Sequence, residues 1–424
     1  MMNMESADNL DDVNATAKCE LNDSSKTLNL HDEFICSEIL PRLPVKSLIR
    51  FKSVSKSWYS CITSSKFAKK QLNFSSSSAH QFILPNIETV GIRLLPYDEQ
   101  NNLKTPVEIN VPDDSRFDKE PYLIDIEVVG VCNGLLCLCF KKEGLVVYKN
   151  YECSAEGWFF SIWNPASHQY CEISNPDSLI FGSGNWFGYV PSIDDYKIFV
   201  SFISNKHGND IDYYVYSLRR KTWKLLSVLD KVLSGKELLT YNIEVVDDTL
   251  YWSPCSISND ERLTKHIVGL NLVTEQVKLF SWMDWLSAYG DTNFFVINGF
   301  LSLYCSSYVD DDNQRDYKPV SDVWTLKQND DWSSWEKKFS VHHGGMYLAL
   351  FTPTRKFLVN REFLFNMTQF KLIDATKDAE EQSQGEACLL ADRTIGCGGG
   401  LYVESLIWPY STIKSAEEEE DSQV

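Results

Sequence analysis

Cys132, Cys137 and Cys139 fall within the segment VCNGLLCLCF, and His342 and His343 stand side by side. Thiolates and imidazoles at close spacing are what a zinc or other transition-metal site requires. Neither group has the geometry. A strand sends successive side chains to opposite faces, so the three thiols are not expected to converge and read as core cysteines, and the adjacent histidines point apart. The glycines of GSGNWFG, from Gly182 to Gly188, are one residue out of step with a dinucleotide loop and lack a following helix, so the segment reads as a turn. Asp194 and Asp195 precede a strand and read as a turn pair, because Asp bonds readily to its own backbone. No paired CxxC, GxSxG, HExxH or phosphate-binding loop occurs. No catalytic residue, metal or cofactor is therefore assigned.

The elements around these residues follow from composition and pattern. With 43% hydrophobic and 13% aromatic residues, the 424-residue chain has the makings of a large β-rich core. Its formal net charge is −19, from 59 acidic and 40 basic residues, which disfavours nucleic acid as a partner and favours protein. No run of 18 apolar residues occurs, and the polar, acidic start MMNMESADNLDDVNATAKCE lacks the basic and apolar stretches of a signal peptide. The expectations are no membrane partner and a place in the cytosol or nucleus, where the 12 cysteines stay reduced.

Residues 1–27 read as a disordered leader, 28–72 as a helical module, 73–80 as a serine-rich linker, 81–410 as one large β domain, and 411–424 as an acidic disordered tail. Within the module, Asp32 is placed to cap a helix carrying Ile35 and Ile39, which Pro41 must kink or end. Pro44 suits the first turn of a second helix with Val45, Leu48 and Ile49 at helical spacing. Ser55 is placed to cap a third, with Trp58 and Ile62 one turn apart. Three such helices cannot bury all these side chains on one another, so the surplus implies a partner. Lys46, Arg50, Lys52, Lys56, Lys66, Lys69 and Lys70 follow Glu38 almost unopposed, giving a basic face that either meets an acidic partner or only solvates the helices.

Ile39-Leu40, Leu43-Pro44, Val45-Lys46-Ser47-Leu48, and Val54, Lys56 and Trp58 keep the order and spacing of a known motif, and the segment resembles the F-box. His31 departs from it, standing after Leu30 where the family usually has proline. The resemblance implies docking to a Skp1-like adaptor, and through it to a cullin, by Leu30, Ile39, Leu40, Leu43, Pro44, Leu48, Val54 and Trp58.

In the β region, FSIWNPASHQYCEI, YYVYSLRRKTWKLL, HIVGLNLVTEQVKLF and SDVWTLKQNDDWSSWEKKF read as two strands about a polar turn. Trp163, Tyr216, Leu270 and Trp324 then stand 53, 54 and 54 residues apart, with Phe365 a further 41 on. A second element, a turn followed by an apolar strand, recurs at Asn133, Asp247, Asn298 and Gly399. A period near fifty with about four strands is that of a β-propeller blade. Residues 81–128 fit the repeat least well and are read as completing the first blade or as an inserted loop. GVCNGLLCL, IWNPAS, FGYVPSIDDYKI, DDTLYW and YVESL make the region similar to the plant F-box-associated domain, a kelch-like family, although the double glycine of true kelch repeats is absent. The expected fold is thus a small all-α module followed by a large all-β, propeller-like domain.

Together the resemblances imply the non-catalytic substrate-recognition subunit of an SCF-type ubiquitin ligase, with the propeller-like domain holding an unidentified target protein. A propeller scaffold outside any ligase is an alternative. So is a hydrolase of the sialidase type, which would need arginines and a carboxylate pair in the central channel.

Overall fold

The computed structural model describes residues 32–75, 81–86, 91–98, 100, 102–111, 124–142, 158–176, 180–203, 211–230, 232–233, 237–238, 243–253, 255–256, 266–311, 314–317, 320–329, 331–352, 355–363, 367–383, 387–390 and 399–410. The leader, the acidic tail, Leu30, His31 and Phe365 lie outside the described residues.

The helical module begins with one α-turn, α1 (Asp32–Phe34), that widens into a π-turn over Ile35–Ile39 and tightens to a 3-10 turn over Leu40–Arg42. A single regular helix to Pro41 is the sequence expectation, and proline explains the departure. Pro41 has no N–H and its ring clashes with the preceding turn, so the α-ladder cannot run through it. Pro44 takes the N-cap of α2 (Val45–Phe51), its carbonyl accepting from the N–H of Ser47 and Leu48. Ser55 caps α3 (Lys56–Thr63) as its spacing predicts, with Oγ accepting from the Trp58 N–H at 3.1 Å. A further helix, α4 (Ser65–Ser75), is capped by Ser64 and buries Phe67, Ala68 and Gln71. It runs past Leu72, the residue at which the sequence reading closes the module, as far as the first serine of the run.

Six four-stranded antiparallel sheets follow as the blades of a propeller. Blade one holds β1 (Gln81–Asn86), β2 (Gly91–Pro96) and β3 (Val107–Ile109), so the poorly matching region builds blade strands. Blade two is β4 (Ile124–Cys132), β5 (Leu135–Lys142), β6 (Trp158–Asn164) and β7 (Gln169–Ile173). Blade three is β8 (Ile180–Val190), β9 (Asp195–Ile203), β10 (Ile211–Ser217) and β11 (Thr222–Leu225). After β12 (Glu237–Leu238), blade four holds β13 (Ile243–Val246) and β14 (Thr249–Trp252). The strand β15 (Cys255–Ser256), which pairs with β12, precedes β16 (His266–Asn271) and β17 (Val277–Ser281) of the same blade. Blade five holds β18 (Asp291–Ile297) and β19 (Phe300–Ser306), a side hairpin of β20 (Tyr308–Asp311) and β21 (Gln314–Tyr317), then β22 (Val320–Leu326) and β23 (Trp335–His342). Blade six is β24 (Tyr347–Phe351), β25 (Lys356–Phe363), β26 (Met367–Asp374) and β27 (Ala387–Leu390).

The ring closes with β28 (Gly400–Leu401), which pairs with β1 and supplies the inner strand that blade one lacks. Neighbouring inner strands touch around the ring, β18 reaching β24 through Phe295 and Phe351 with ring centroids 4.7 Å apart. Trp163, Tyr216, Leu270 and Trp324 all lie on third strands, so the steps of 53 and 54 residues measure one blade. In blade six the equivalent turn follows Asp374, whose Oδ1 accepts from the Thr376 N–H. The turn pairs Asn133-Gly134, Asp247-Asp248 and Asn298-Gly299 all have positive φ at both positions, the two-residue turn whose twist matches that of the strands it joins. The fourth copy, at Gly399, is instead the approach to the closing strand. A Cβ on Gly399 would lie 2.6 Å from the Ile83 carbonyl, which is why glycine stands there.

Other expectations are corrected locally. GSGNWFG is not a turn: it lies inside β8, with a register shift against β9 between Phe181 and Asn185. Cys137 and Cys139, two apart on β5, share a face, and both are fully buried in one apolar cluster. Among the described residues no group of three metal-ligating side chains forms.

The closing segment is held by the motif residues. Buried Asn164 donates from Nδ2 to the carbonyls of Ser405 at 3.0 Å and Ile407 at 2.9 Å, while its Oδ1 accepts from the Ala166 and Ser167 N–H groups. Ser405 Oγ donates to the Asn133 carbonyl at 2.6 Å, and Asn133 Nδ2 donates to the Tyr196 hydroxyl at 2.9 Å. Asn164→Ala strands two buried carbonyls and loosens a turn, so it should cost about 2–4 kcal/mol in urea unfolding, with a loss under about 0.5 kcal/mol contradicting the clamp.

Candidate docking surface on the helical module

The helices are packed onto the propeller. Leu40, Val45, Leu48, Ile62, Phe67 and Ala68 belong to one continuous apolar cluster with Leu406 and Ile407 of the closing segment and with Phe187 and Tyr196 of blade three. Lys69 Nζ reaches Asp194 Oδ1 at 2.7 Å across the same junction. The surplus apolar surface of the module is therefore covered in part by the chain itself.

This packing sorts the residues expected to dock. Leu40 and Leu48, at 1% and 0% exposure, are interior in this chain; helical spacing marks them as apolar without saying which neighbour covers them. Leu43 and Trp58 are half-buried, Trp58 standing edge-on to Phe51 with centroids 5.6 Å apart. Leu43 and exposed Pro44 also line a cavity of about 240 Å³ shared with Phe74, Gln81 and Tyr402. Ile39 and Val54 remain exposed, at 37% and 59%. Phe34 and Tyr59, which the motif does not single out, are half-exposed beside them in sequence. These side chains come from segments in mutual contact, since α3 packs on both the π-turn and α2. Exposed aromatic and aliphatic groups on so small a module mark a protein-binding surface.

The basic face is smaller than its count of lysines implies. Lys70 pairs with Glu38 at 3.1 Å and holds that carboxyl below its usual range, and Lys69 is taken by Asp194. Burial pushes the Lys52 amine down. Lys46, Arg50, Lys56 and Lys66 make no ion pair among the described residues and lie exposed. The Cys61 thiol, 3.9 Å from the Cys36 carbonyl, is pushed up to about 12 by burial and is not poised to react.

The residues with catalytic potential sit apart. His343 is buried, bonds Ser321 Oγ through Nε2 at 2.9 Å, and is held neutral by burial with a pKa of about 4. Asp194 caps the turn before β9, whereas Asp195 is the first residue of β9 itself and accepts from the Arg219 N–H of the β10–β11 turn. The described inner strands β4, β8, β13, β18, β24 and β28 contain neither Arg nor Lys, so they contribute nothing to the arginine cluster a sialidase-type site needs. They do carry carboxylates. Glu127 accepts from Asn185 Nδ2 at 3.4 Å, and Glu244, crowded by protein though partly reached by solvent, has its carboxyl pushed up to about 8 by desolvation.

Residues 28–70 match the F-box domain family. The chain is 27% identical over 337 residues to an F-box/kelch-repeat protein of Arabidopsis thaliana, covering 72% of this chain and 77% of that one. It is 29% identical over 195 residues to a protein named as a putative F-box protein of the same plant, covering 45% of each chain. Among solved structures, TolB of Acinetobacter baumannii is similar at a TM-score of 0.35 and 10% identity, over 77% of this chain and 72% of that one, a level from which nothing further follows. The chain thus carries an F-box followed by a six-bladed propeller and is similar to plant F-box proteins. The domain implies a Skp1-type partner, and the relatives suggest a non-catalytic adaptor.

Glu244 gives a pH signature. Near its ordinary value of 4.5 and below, folded and unfolded chains are both protonated there; above it the unfolded chain ionises while the folded one keeps its proton up to about 8. Its presence therefore lowers stability progressively across that window. Glu244→Gln should match the parent at pH 4 and gain on it steadily up to pH 8 in denaturant titrations, and a constant difference across pH would contradict the assignment.

Proposed function

We propose that this chain is the substrate-recognition subunit of an SCF-type ubiquitin ligase, its F-box gripping a Skp1-like adaptor and its propeller holding the protein to be modified. The observation that carries the reading is the sorting of the F-box side chains. Its inner apolar face is closed by the propeller, while Phe34, Ile39, Val54 and Tyr59 stay open to a second protein. Pro44 is exposed at the start of α2, and cationic Lys46, Arg50 and Lys56 flank the same segments. Apolar anchors within a charged rim are the usual anatomy of a protein interface.

The chain would then do no bond-making. It would hold a target beside a charged ubiquitin carrier bound elsewhere in the assembly, replacing a bimolecular encounter by a high effective concentration. Packing the F-box against the propeller serves that role, since a fixed orientation keeps the target within reach more often than a flexible tether does. Such an activity would be at work in the cytosol or nucleus.

Ile39→Asp with Val54→Asp changes only exposed positions, so unfolding should be unaltered. Co-purification with a Skp1-like protein and a cullin should fall by about thirtyfold or more, the cost of losing a central interface anchor. Leu48→Ala should instead destabilise the fold by about 2–5 kcal/mol, as expected for a fully buried leucine. Undiminished capture by the double aspartate variant would overturn the ligase reading in favour of a scaffold acting outside it.

A further inference from the structure

Beside the Lys69–Asp194 ion pair, the turns of blades three and four enclose a cleft of about 870 Å³, within the size range of ligand sites. Three turns build it, β8–β9 with Ile193 and Asp195, β10–β11 around Arg219 and Arg220, and β16–β17 around Val273 and Glu275. Four cationic side chains, Lys197, Arg219, Arg220 and Lys224, meet two carboxylates there, in a chain whose formal net charge is −19.

Both carboxylates are already engaged. Asp195 is 5% exposed and accepts from Ser217 Oγ and the Arg219 N–H, fixing the β10–β11 turn. Glu275 is ion-paired with Lys224. The cations are less committed. Arg219 spends one Nη donor on the Ile193 carbonyl at 3.3 Å and keeps the rest of its fork. Exposed Arg220 has no ion pair among the described residues. Lys197 donates to the Leu272 carbonyl at 2.6 Å and is half-buried, which fixes a positive charge within the wall. Between these charges Trp223 and exposed Val273 offer apolar surface beside Ser217 and Thr222, with Val215 and Leu272 buried behind.

We infer that this cleft binds an acidic peptide segment of the recruited protein, an inference that rests on the adaptor reading and names the chemistry of its target. Arginine forks suit carboxylates, which they take two bonds at a time. The mixture of cations with Trp223 and Val273 suits an extended chain that alternates acidic and apolar side chains, as a strand does. A small inorganic anion would fill little of the volume, and a nucleic acid would bring dense negative charge against a strongly acidic protein. Read from sequence alone as an acidic loop, Asp310, Asp311 and Asp312 favour a basic target only weakly; the structure puts Asp310 and Asp311 in β20, and the cleft points the other way.

The test is fluorescence anisotropy on the full-length chain, with a labelled peptide of alternating Glu and Leu and its Gln counterpart as probes. The Glu peptide should bind at least about tenfold more tightly than the Gln peptide and should weaken with added salt. Arg219→Glu with Arg220→Glu should remove that preference, and the neutral pair Arg219→Gln with Arg220→Gln should reduce it without relying on charge repulsion. Lys104→Glu with Lys278→Glu, at exposed propeller positions outside the cleft, should leave it intact. Equal binding of the two peptides, or an equal loss from these control reversals, would overturn the site. Adaptor capture measured on the same samples separates the two readings: capture without peptide preference removes the cleft alone, whereas peptide preference without capture keeps the cleft and removes the ligase.

Discussion

A module of four short helices has too little interior to close over its own apolar side chains, and that shortage organises the molecule. Leu40, Leu48, Ile62 and Phe67 share one buried apolar cluster with Leu406, Ile407 and residues of blades two and three. The covering segment comes from the far end of the chain and is itself pinned by the Asn164 side chain. Unsatisfied carbonyls in such a place would each cost on the order of 1–3 kcal/mol, so the amide does more than decorate a turn. One segment therefore serves two closures, that of the propeller ring through β28 and that of the helical module just beyond it.

The shared closure bears on function. If the F-box hung from a flexible linker, a target on the propeller would sample a wide volume around the ligase and its effective concentration near the ubiquitin carrier would fall. Apolar packing supplemented by the Lys69–Asp194 contact fixes the direction instead. The ion pair itself is exposed and adds little energy; the shared apolar cluster supplies most of the holding. The basic cleft lies next to this junction, so a peptide seated there would inherit the orientation of the F-box.

Much of this was legible in the residues, and the failures share a cause. The Ser55 cap, the Pro44 start and the 53- and 54-residue steps between third strands rest on local chemistry, and the structure follows them. The paired turns at Asn133, Asp247 and Asn298 are local too. What could not be read depends on distant neighbours. Gly399-Gly400 resembles those turns yet enters a strand paired with residues more than three hundred positions earlier. Leu48 and Val54 are both apolar positions of the same motif, yet packing buries one and leaves the other exposed. GSGNWFG carries the composition of a turn, but pairing with β9 draws it into a bulged strand. The cleft is invisible in sequence because its cations come from RRKTWK and Lys197 while Leu272, Val273 and Glu275 of its wall come from the distant β16–β17 turn.

Native-state hydrogen exchange tests the shared closure most directly. Amides of residues 45–63 in the F-box and 403–408 in the closing segment should lose protection together, in one opening step with a common dependence on denaturant. Opening of residues 403–408 at markedly lower free energy, while 45–63 stay protected, would show that the F-box is closed without the propeller and would contradict the account.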